Sequence, residues 1–186
     1  DIKQVLKQVL NEKNYDKLVV LGGSEGALVA NMVAAVVPEI DQTVVINGGG
    51  RWFVDDVLHN IELTTPPEAF VPAKEGFLGF KQHILASSES KAIVSNHGYS
   101  WWRDMFELDQ SEYIDKIQGP LLIIQSGQDE SVSPQLAFDQ AQSFKKTKKN
   151  LEYKVYPNLD HAFKSLDGET KSDKVVRDIK RWLSQH

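Results

Sequence analysis

The chain contains no cysteine among its 186 residues. This absence excludes disulfide bonds, a thiolate nucleophile and cysteine-ligated zinc. The chain also lacks any apolar run near the roughly 20 residues that a membrane-spanning helix requires, and no secretory signal is recognisable at its start. We therefore expect no membrane span, and we favour a cytoplasmic location.

Positive charge is the second deficit of this sequence. Lysine and arginine together number 21 against 26 aspartates and glutamates, which gives a net charge of −5. Nucleic acid is therefore not an expected partner. Hydrophobic residues make up 41% of the chain, which is ordinary for a globular protein with its own core. We predict one domain over residues 1–186.

The most informative stretch is Lys17–Ala30, which reads KLVVLGGSEGALVA. It predicts a short apolar strand, a Gly-x-Ser-x-Gly turn and a helix in immediate succession. Such a turn exposes the hydroxyl of Ser24 and directs the backbone N–H of Glu25 towards a developing oxyanion. Gly22 and Gly26 are expected to remove side chains that would collide as strand and helix approach each other. On its own, the motif is equally compatible with a plain glycine and serine turn.

The rest of the hydrophobic pattern predicts an α/β fold. Apolar runs predict four strands, and amphipathic or alanine-rich segments predict helices around them; the strands are at 18–21, 43–46, 120–125 and 151–156, and the helices at 2–10, 27–37, 134–145 and 171–184. A polar break is expected at 11–16. Strands that are apolar almost throughout are typical of parallel strands buried on both faces. We therefore predict a mostly parallel four-stranded sheet that is flanked by helices.

Residues 51–118 have a different character. They contain no clear strand, many aromatic side chains and helical patches at 54–61, 74–86, 100–107 and 111–117. We interpret them as a helical cap insertion that covers one end of the sheet and shapes a substrate pocket, although ordinary packing helices fit equally well. Trp101 and Trp102 could line an apolar pocket or pack within the cap.

Three residues suited to nucleophilic catalysis follow the carboxyl ends of predicted strands: Ser24, Asp129 and His161. In a parallel sheet these ends share one edge, so the three side chains can converge. A serine hydroxyl needs a base within hydrogen-bond reach, and the base needs a third group to orient it. Asp129 is also compatible with a turn or helix-cap role. Asp160 is a second candidate carboxylate, but its position beside His161 is unfavourable for reaching the imidazole.

The three motifs LGGSEGA, SGQDESVSP and YPNLDHAF, in the chain order Ser–Asp–His, resemble the α/β-hydrolase superfamily. The last two are similar to the dienelactone-hydrolase and prolyl-oligopeptidase-like branches. The resemblance implies that Ser24 is the nucleophile, His161 the general base and acid, Asp129 its orienting carboxylate and the Glu25 N–H an oxyanion donor.

The same resemblance implies a serine hydrolase that cleaves carboxylic esters or thioesters through an acyl-enzyme, with a small acyl compound as substrate. No cofactor and no metal are implied, and His59, His83 and His97 lack metal-binding spacing. A peptidase or amidase with the same three residues is an alternative. A binding module that keeps the fold without activity is another.

The sequence departs from the superfamily pattern at its amino end. Only residues 1–17 precede the predicted strand at 18–21, which we call the elbow strand because it leads into the turn at Ser24, the elbow. A complete α/β hydrolase has several strands and helices before this strand, and they supply a second oxyanion donor. We therefore expect this chain to be the carboxyl-terminal part of a longer hydrolase. The elbow strand would then be an exposed apolar edge, which predicts pairing with a second copy.

Overall fold

The computed structural model describes residues 2–12, 15–88 and 90–186. Within these ranges, helices and strands follow one another in the order α1 (Ile2–Glu12), β1 (Val19–Gly23), α2 (Glu25–Ala34), β2 (Gln42–Ile46), α3 (Phe53–Thr64), α4 (Pro67–Ala86), β3 (Ile93–Val94), β4 (His97–Gly98), α5 (Tyr99–Glu107), α6 (Gln110–Lys116), β5 (Leu121–Ser126), α7 (Pro134–Lys145), β6 (Leu151–Tyr156) and α8 (Ser172–Gln185). The predicted polar break at 11–16 is partly wrong because α1 continues to Glu12, and residues 13 and 14 lie outside the described ranges.

The predicted α/β fold is confirmed. Strands β1, β2, β5 and β6 form a four-stranded sheet in that order, and every neighbouring pair is parallel. Side chains along the central strand β5 alternate between two cores, as the two-residue period of a strand requires. Leu121 and Ile123 pack with residues of α2 and α6 on one face. Leu122 and Ile124 pack with residues of α8 on the other.

Strand β1 lies at the edge of the sheet and is covered on one face only. Val20 packs against the core that contains α2, whereas Val19 and Leu21 are 38% and 54% exposed. The prediction that this strand is buried on both faces is therefore wrong, and the prediction of an exposed apolar edge is confirmed. A strand edge of this kind presents unpaired backbone groups beside apolar side chains.

The 51–118 segment folds into four helices, α3 to α6, and an antiparallel hairpin of β3 and β4. The hairpin corrects the expectation that this segment has no strand. Helix α4 begins at Pro67, well before the predicted residue 74, because a proline suits the first turn of a helix. Val54, Ile84 and Phe106 form a separate core with surrounding aromatic rings. Among the described residues, no helix combines the length and apolar character needed to cross a membrane.

Candidate active site

Ser24 lies in a strained turn between β1 and α2. Its backbone angles are φ 55° and ψ −127°, a combination that side-chain-bearing residues rarely adopt outside functional sites. The Ser24 N–H donates to Ile46 O over 2.8 Å, which joins the turn to β2. A Cβ at Gly22 would overlap the carbonyl oxygen of Gly26, so this glycine is required by the close approach. A Cβ at Gly26 would meet nothing within 4 Å, so the expectation of a collision there is wrong.

Glu25, whose N–H is the predicted oxyanion donor, is the first residue of α2. Within the part of the chain that the structure describes, this N–H donates to no backbone or side-chain acceptor. Such first-turn N–H groups, together with the helix dipole, favour an anionic group at the helix start. The Glu25 side chain extends towards α5, where its Oε1 accepts a hydrogen bond of 2.9 Å from Trp101 Nε1.

Asp129 and His161 form a close pair. His161 Nδ1 lies 2.7 Å from Asp129 Oδ2, and the carboxylate is fully buried whereas the imidazole is 30% exposed. Asp129 Oδ2 also accepts from Gln125 Nε2, and its Oδ1 accepts from the N–H groups of Ser131 and Val132. Because a carboxylate can only accept, His161 holds its proton on Nδ1, and Nε2 remains available to take a proton.

The same pairing changes the acid–base behaviour of the imidazole. The hydrogen bond to Asp129 raises the pKa of His161 above its ordinary value, although partial burial opposes the shift. The charge of Asp160 adds to the increase. The Asp160 carboxylate itself accepts from the N–H groups of Ala162 and Lys164. This second candidate for the orienting carboxylate therefore stabilises the loop that carries His161, and among the described residues it is not hydrogen-bonded to the imidazole.

Asn47 connects the elbow with the histidine. It follows Ile46, the residue that accepts from Ser24, and its Nδ2 donates to the backbone oxygen of His161 over 2.9 Å. Its Oδ1 accepts from the Ser126 N–H at the end of β5. Ser24 and His161 therefore lie at the same edge of the sheet. Among the residues that the structure describes, no hydrogen bond joins Ser24 Oγ to His161. In serine hydrolases without substrate, the distance between these two groups is often long, and it shortens when substrate binds.

A cavity of about 250 Å³ lies beside Ser24 and Glu25. Its apolar wall includes Leu28, Phe53 and Trp101. Trp101 stacks on His97 with the ring centroids 3.7 Å apart and the planes 15° from parallel. Trp102, in contrast, packs against the separate core of Val54, Ile84 and Phe106, and its Nε1 donates to Val94 O. The structure therefore separates the two tryptophans, with only Trp101 lining the cavity.

Two buried polar side chains that support this cavity were not found from the sequence. Asp56 lies on α3 and accepts from the backbone N–H groups of Gly50 and Ser133, which belong to two different loops. Gln110 donates from Nε2 to the carbonyl oxygens of Gly48 and Gly50. Neither residue stands in a recognisable motif, and an acidic residue in the first turn of a helix usually needs no further explanation. Within the described ranges, no group of three or more potential metal ligands is present.

Comparison with known proteins supports the same family that the motifs resemble. The esterase Pf2001 of Pyrococcus furiosus superposes with a TM-score of 0.58 at 16% identity over 91% of this chain and 53% of its own. Est1E from Butyrivibrio proteoclasticus superposes with a TM-score of 0.61 at 16% identity, over 97% of this chain and 67% of its own. The acylaminoacyl peptidase of Pyrococcus horikoshii superposes with a TM-score of 0.55 at 14% identity, over 85% of this chain and 22% of its own.

These likenesses concern the fold, and this chain spans about half the length of the Pyrococcus furiosus esterase. No curated protein matches the sequence. The sequence pattern of the prolyl oligopeptidase family matches residues 79–186, which include Asp129 and His161. This match covers more than half of the chain. The chain therefore belongs to the prolyl oligopeptidase family, within the α/β hydrolases.

Proposed function

We propose that this chain carries the nucleophile, general base and orienting acid of a serine hydrolase that cleaves carboxylic esters. The observation that supports the proposal most strongly is the buried Asp129 carboxylate, held by three further donors, at 2.7 Å from His161. The strained elbow at Ser24 adds the second half of the arrangement. Together they match the roles that nucleophilic catalysis by serine requires.

The proposed reaction begins when His161 Nε2 removes the proton from Ser24 Oγ. The oxygen then attacks the ester carbonyl carbon, and negative charge develops on the carbonyl oxygen beside the Glu25 N–H. The imidazolium next gives its proton to the leaving alcohol as the carbon–oxygen bond breaks, which leaves an acyl group on Ser24. Water repeats the sequence on the acyl-enzyme and releases the carboxylic acid.

The size and lining of the cavity favour a compact, apolar acyl group. Its volume of about 250 Å³ is below the range of about 300–1,000 Å³ that is typical of ligand pockets. Phe53 and Trp101 contribute aromatic walls. We expect short-chain esters to react faster than long-chain esters. Trp101→Ala should narrow this difference because it removes part of the wall.

A peptidase or amidase is the second candidate. The prolyl oligopeptidase family match and the fold shared with an acylaminoacyl peptidase favour it. Aminoacyl amide substrates and p-nitrophenyl acyl esters, assayed side by side on the same preparation, distinguish the two activities. Hydrolysis of the esters with no hydrolysis of the amides supports the first proposal, and the reverse result supports the second.

A fluorophosphonate probe tests whether Ser24 is activated. We expect the probe to label Ser24, as located by mass spectrometry, and Ser24→Ala to abolish the labelling. Ser143→Ala, which removes an exposed hydroxyl on α7, serves as the control and should label like the unsubstituted chain. In a protein that contains this chain, Ser24→Ala should lower kcat by about 10³-fold or more. Failure of Ser24 to label in a protein that contains this chain would favour a binding module without activity.

A further inference from the structure

One face of helix α3 is hydrogen-bonded to the loop that carries Asp129. We call residues 127–133 the acid loop. The Asp56 Oδ1 accepts from the Ser133 N–H over 2.7 Å. His59 Nε2 lies 3.1 Å from the backbone oxygen of Asp129, and Asn60 Nδ2 donates to Glu130 O over 2.8 Å.

The spacing of these three α3 residues explains why they act together. Positions 56, 59 and 60 are related by three and four residues, so their side chains share one face of the helix. All three contacts are with backbone atoms of the acid loop, and sequence separations of 70 to 77 residues divide the partners. Helix α3 therefore restrains the position of the acid loop at three points.

Asp56 also accepts a hydrogen bond from a second loop. Its Oδ2 accepts from the Gly50 N–H over 3.0 Å, in the loop that follows β2. The two carboxylate oxygens thus join two separate loops, and the residue is only 4% exposed. A Cβ at Gly49, where φ is 74°, would overlap this carboxylate. The loop after β2 is therefore built around the Asp56 side chain.

The chemistry of the two contacts requires an acceptor on each oxygen. A buried carboxylate is costly, and burial raises the pKa of Asp56 to about 6 although the two backbone N–H groups oppose this change. An asparagine would have nearly the same shape, but its amide nitrogen would face one of the two N–H donors. One hydrogen bond would then be replaced by a repulsive contact between two donors.

We propose that Asp56 is a positioning residue that holds the acid loop where Asp129 can meet His161. The inference rests on the proposed function, because it assigns Asp56 a role in orienting the general base. It assigns no contact between Asp56 and substrate. The prediction is that loss of the Asp56 carboxylate weakens the Asp129–His161 pair without unfolding the sheet.

The test compares Asp56→Asn with Asp55→Asn, each introduced into the chain of residues 1–186. Asp55 is the neighbouring residue on the same helix, but it is exposed, so it controls for the loss of one negative charge. The first readout is the pKa of the His161 imidazole, measured by NMR. The second is the rate at which fluorophosphonate labels Ser24. Circular dichroism shows that each variant retains its helices and strands.

We expect Asp56→Asn to lower the pKa of His161 towards its ordinary value and to slow labelling by about 10²-fold, a cost typical of small displacements in a catalytic group. Asp55→Asn should change neither quantity. Asn60→Ala, which removes one contact with the same loop, should shift both in the same direction by less. It also provides the answer if Asp56→Asn fails to fold.

An unchanged His161 pKa in folded Asp56→Asn, or in Asn60→Ala if the first variant does not fold, would overturn the proposal. A change of equal size in Asp55→Asn would overturn it as well, because the effect would then follow from charge alone. The NMR readout does not depend on activity. If Ser24 failed to label in a protein that contains this chain, the proposed function would fail, and the His161 pKa would still decide whether Asp56 acts on the pair.

Discussion

The backbone strain at Ser24 leads to a prediction about stability that is independent of any activity. At φ 55° and ψ −127°, a Cβ is unfavourable, and such conformations cost of the order of 1–3 kcal/mol. The Ser24 side chain makes no capping hydrogen bond, so replacing it with alanine leaves the strain and loses little else. Replacing it with glycine relieves the strain.

The size of the expected difference follows from two opposing terms. Relief of strain favours Ser24→Gly over Ser24→Ala by about 1–3 kcal/mol. The greater freedom of glycine in the unfolded chain opposes this by about 0.4–1 kcal/mol. We therefore expect the glycine variant to have a free energy of unfolding about 1 kcal/mol higher than the alanine variant. For a chain of this length that difference corresponds to about 2–4 °C in Tm.

Urea unfolding, followed by tryptophan fluorescence, measures the difference if the two variants have equal m values. Ser87 provides the matched control because its backbone angles, φ −81° and ψ 144°, are ordinary for any residue. There the order should reverse, with Ser87→Ala more stable than Ser87→Gly. If Ser24→Gly were no more stable than Ser24→Ala, the claim that the elbow is strained would be refuted.

Four further outcomes are expected. Gly22→Ala should lower the free energy of unfolding by about 3 kcal/mol, because its Cβ would overlap the Gly26 carbonyl oxygen. Gly26→Ala should raise it by about 0.5–1 kcal/mol, because its Cβ would meet nothing within 4 Å. Equal effects of the two substitutions in urea unfolding would contradict this difference. The fluorophosphonate labelling rate should rise with pH through a midpoint above 6.5, because the raised pKa of His161 keeps it protonated, and inactive as a base, until that pH is passed. The paired imidazolium should contribute stability below pH 6.5 that is lost as pH rises through the same midpoint, and a midpoint below 6.5 would contradict both statements. Finally, light scattering should detect a dimer that Leu21→Lys weakens, and a monomer at high concentration would exclude pairing through β1.

The parts of the fold that could be predicted from the sequence are those with strong local signals. Strand β6 and helix α7 have the predicted bounds, because the hydrophobic pattern of each lies within the element itself. The sheet edge that bears the candidate site also follows from local pattern. Strands that are followed by Ser24, Asp129 and His161 bring these residues to one edge once the strands are parallel.

Other features depend on partners that are distant in the chain. Asp56 and Asn47 contact backbone groups 77 and 114 residues away, and nothing near either residue in the sequence indicates those partners. The expectation that β1 is buried on both faces is wrong because an apolar composition does not show whether a helix covers each face, and the face that bears Val19 and Leu21 is exposed. The β3–β4 hairpin was missed because two-residue strands are too short for any period to be recognised.

The attachment of the 51–118 segment has a consequence for engineering. Helix α3 is fixed to the acid loop, and α6 is fixed through Gln110 to the loop after β2. Between these ends, α4 and α5 pack on one another, and Trp102 donates a hydrogen bond to Val94 O of the hairpin. Trp101 donates a hydrogen bond to Glu25 at the elbow. A graft that exchanged residues 67–107 for those of another hydrolase would therefore replace one wall of the pocket while both junctions with the sheet stayed intact.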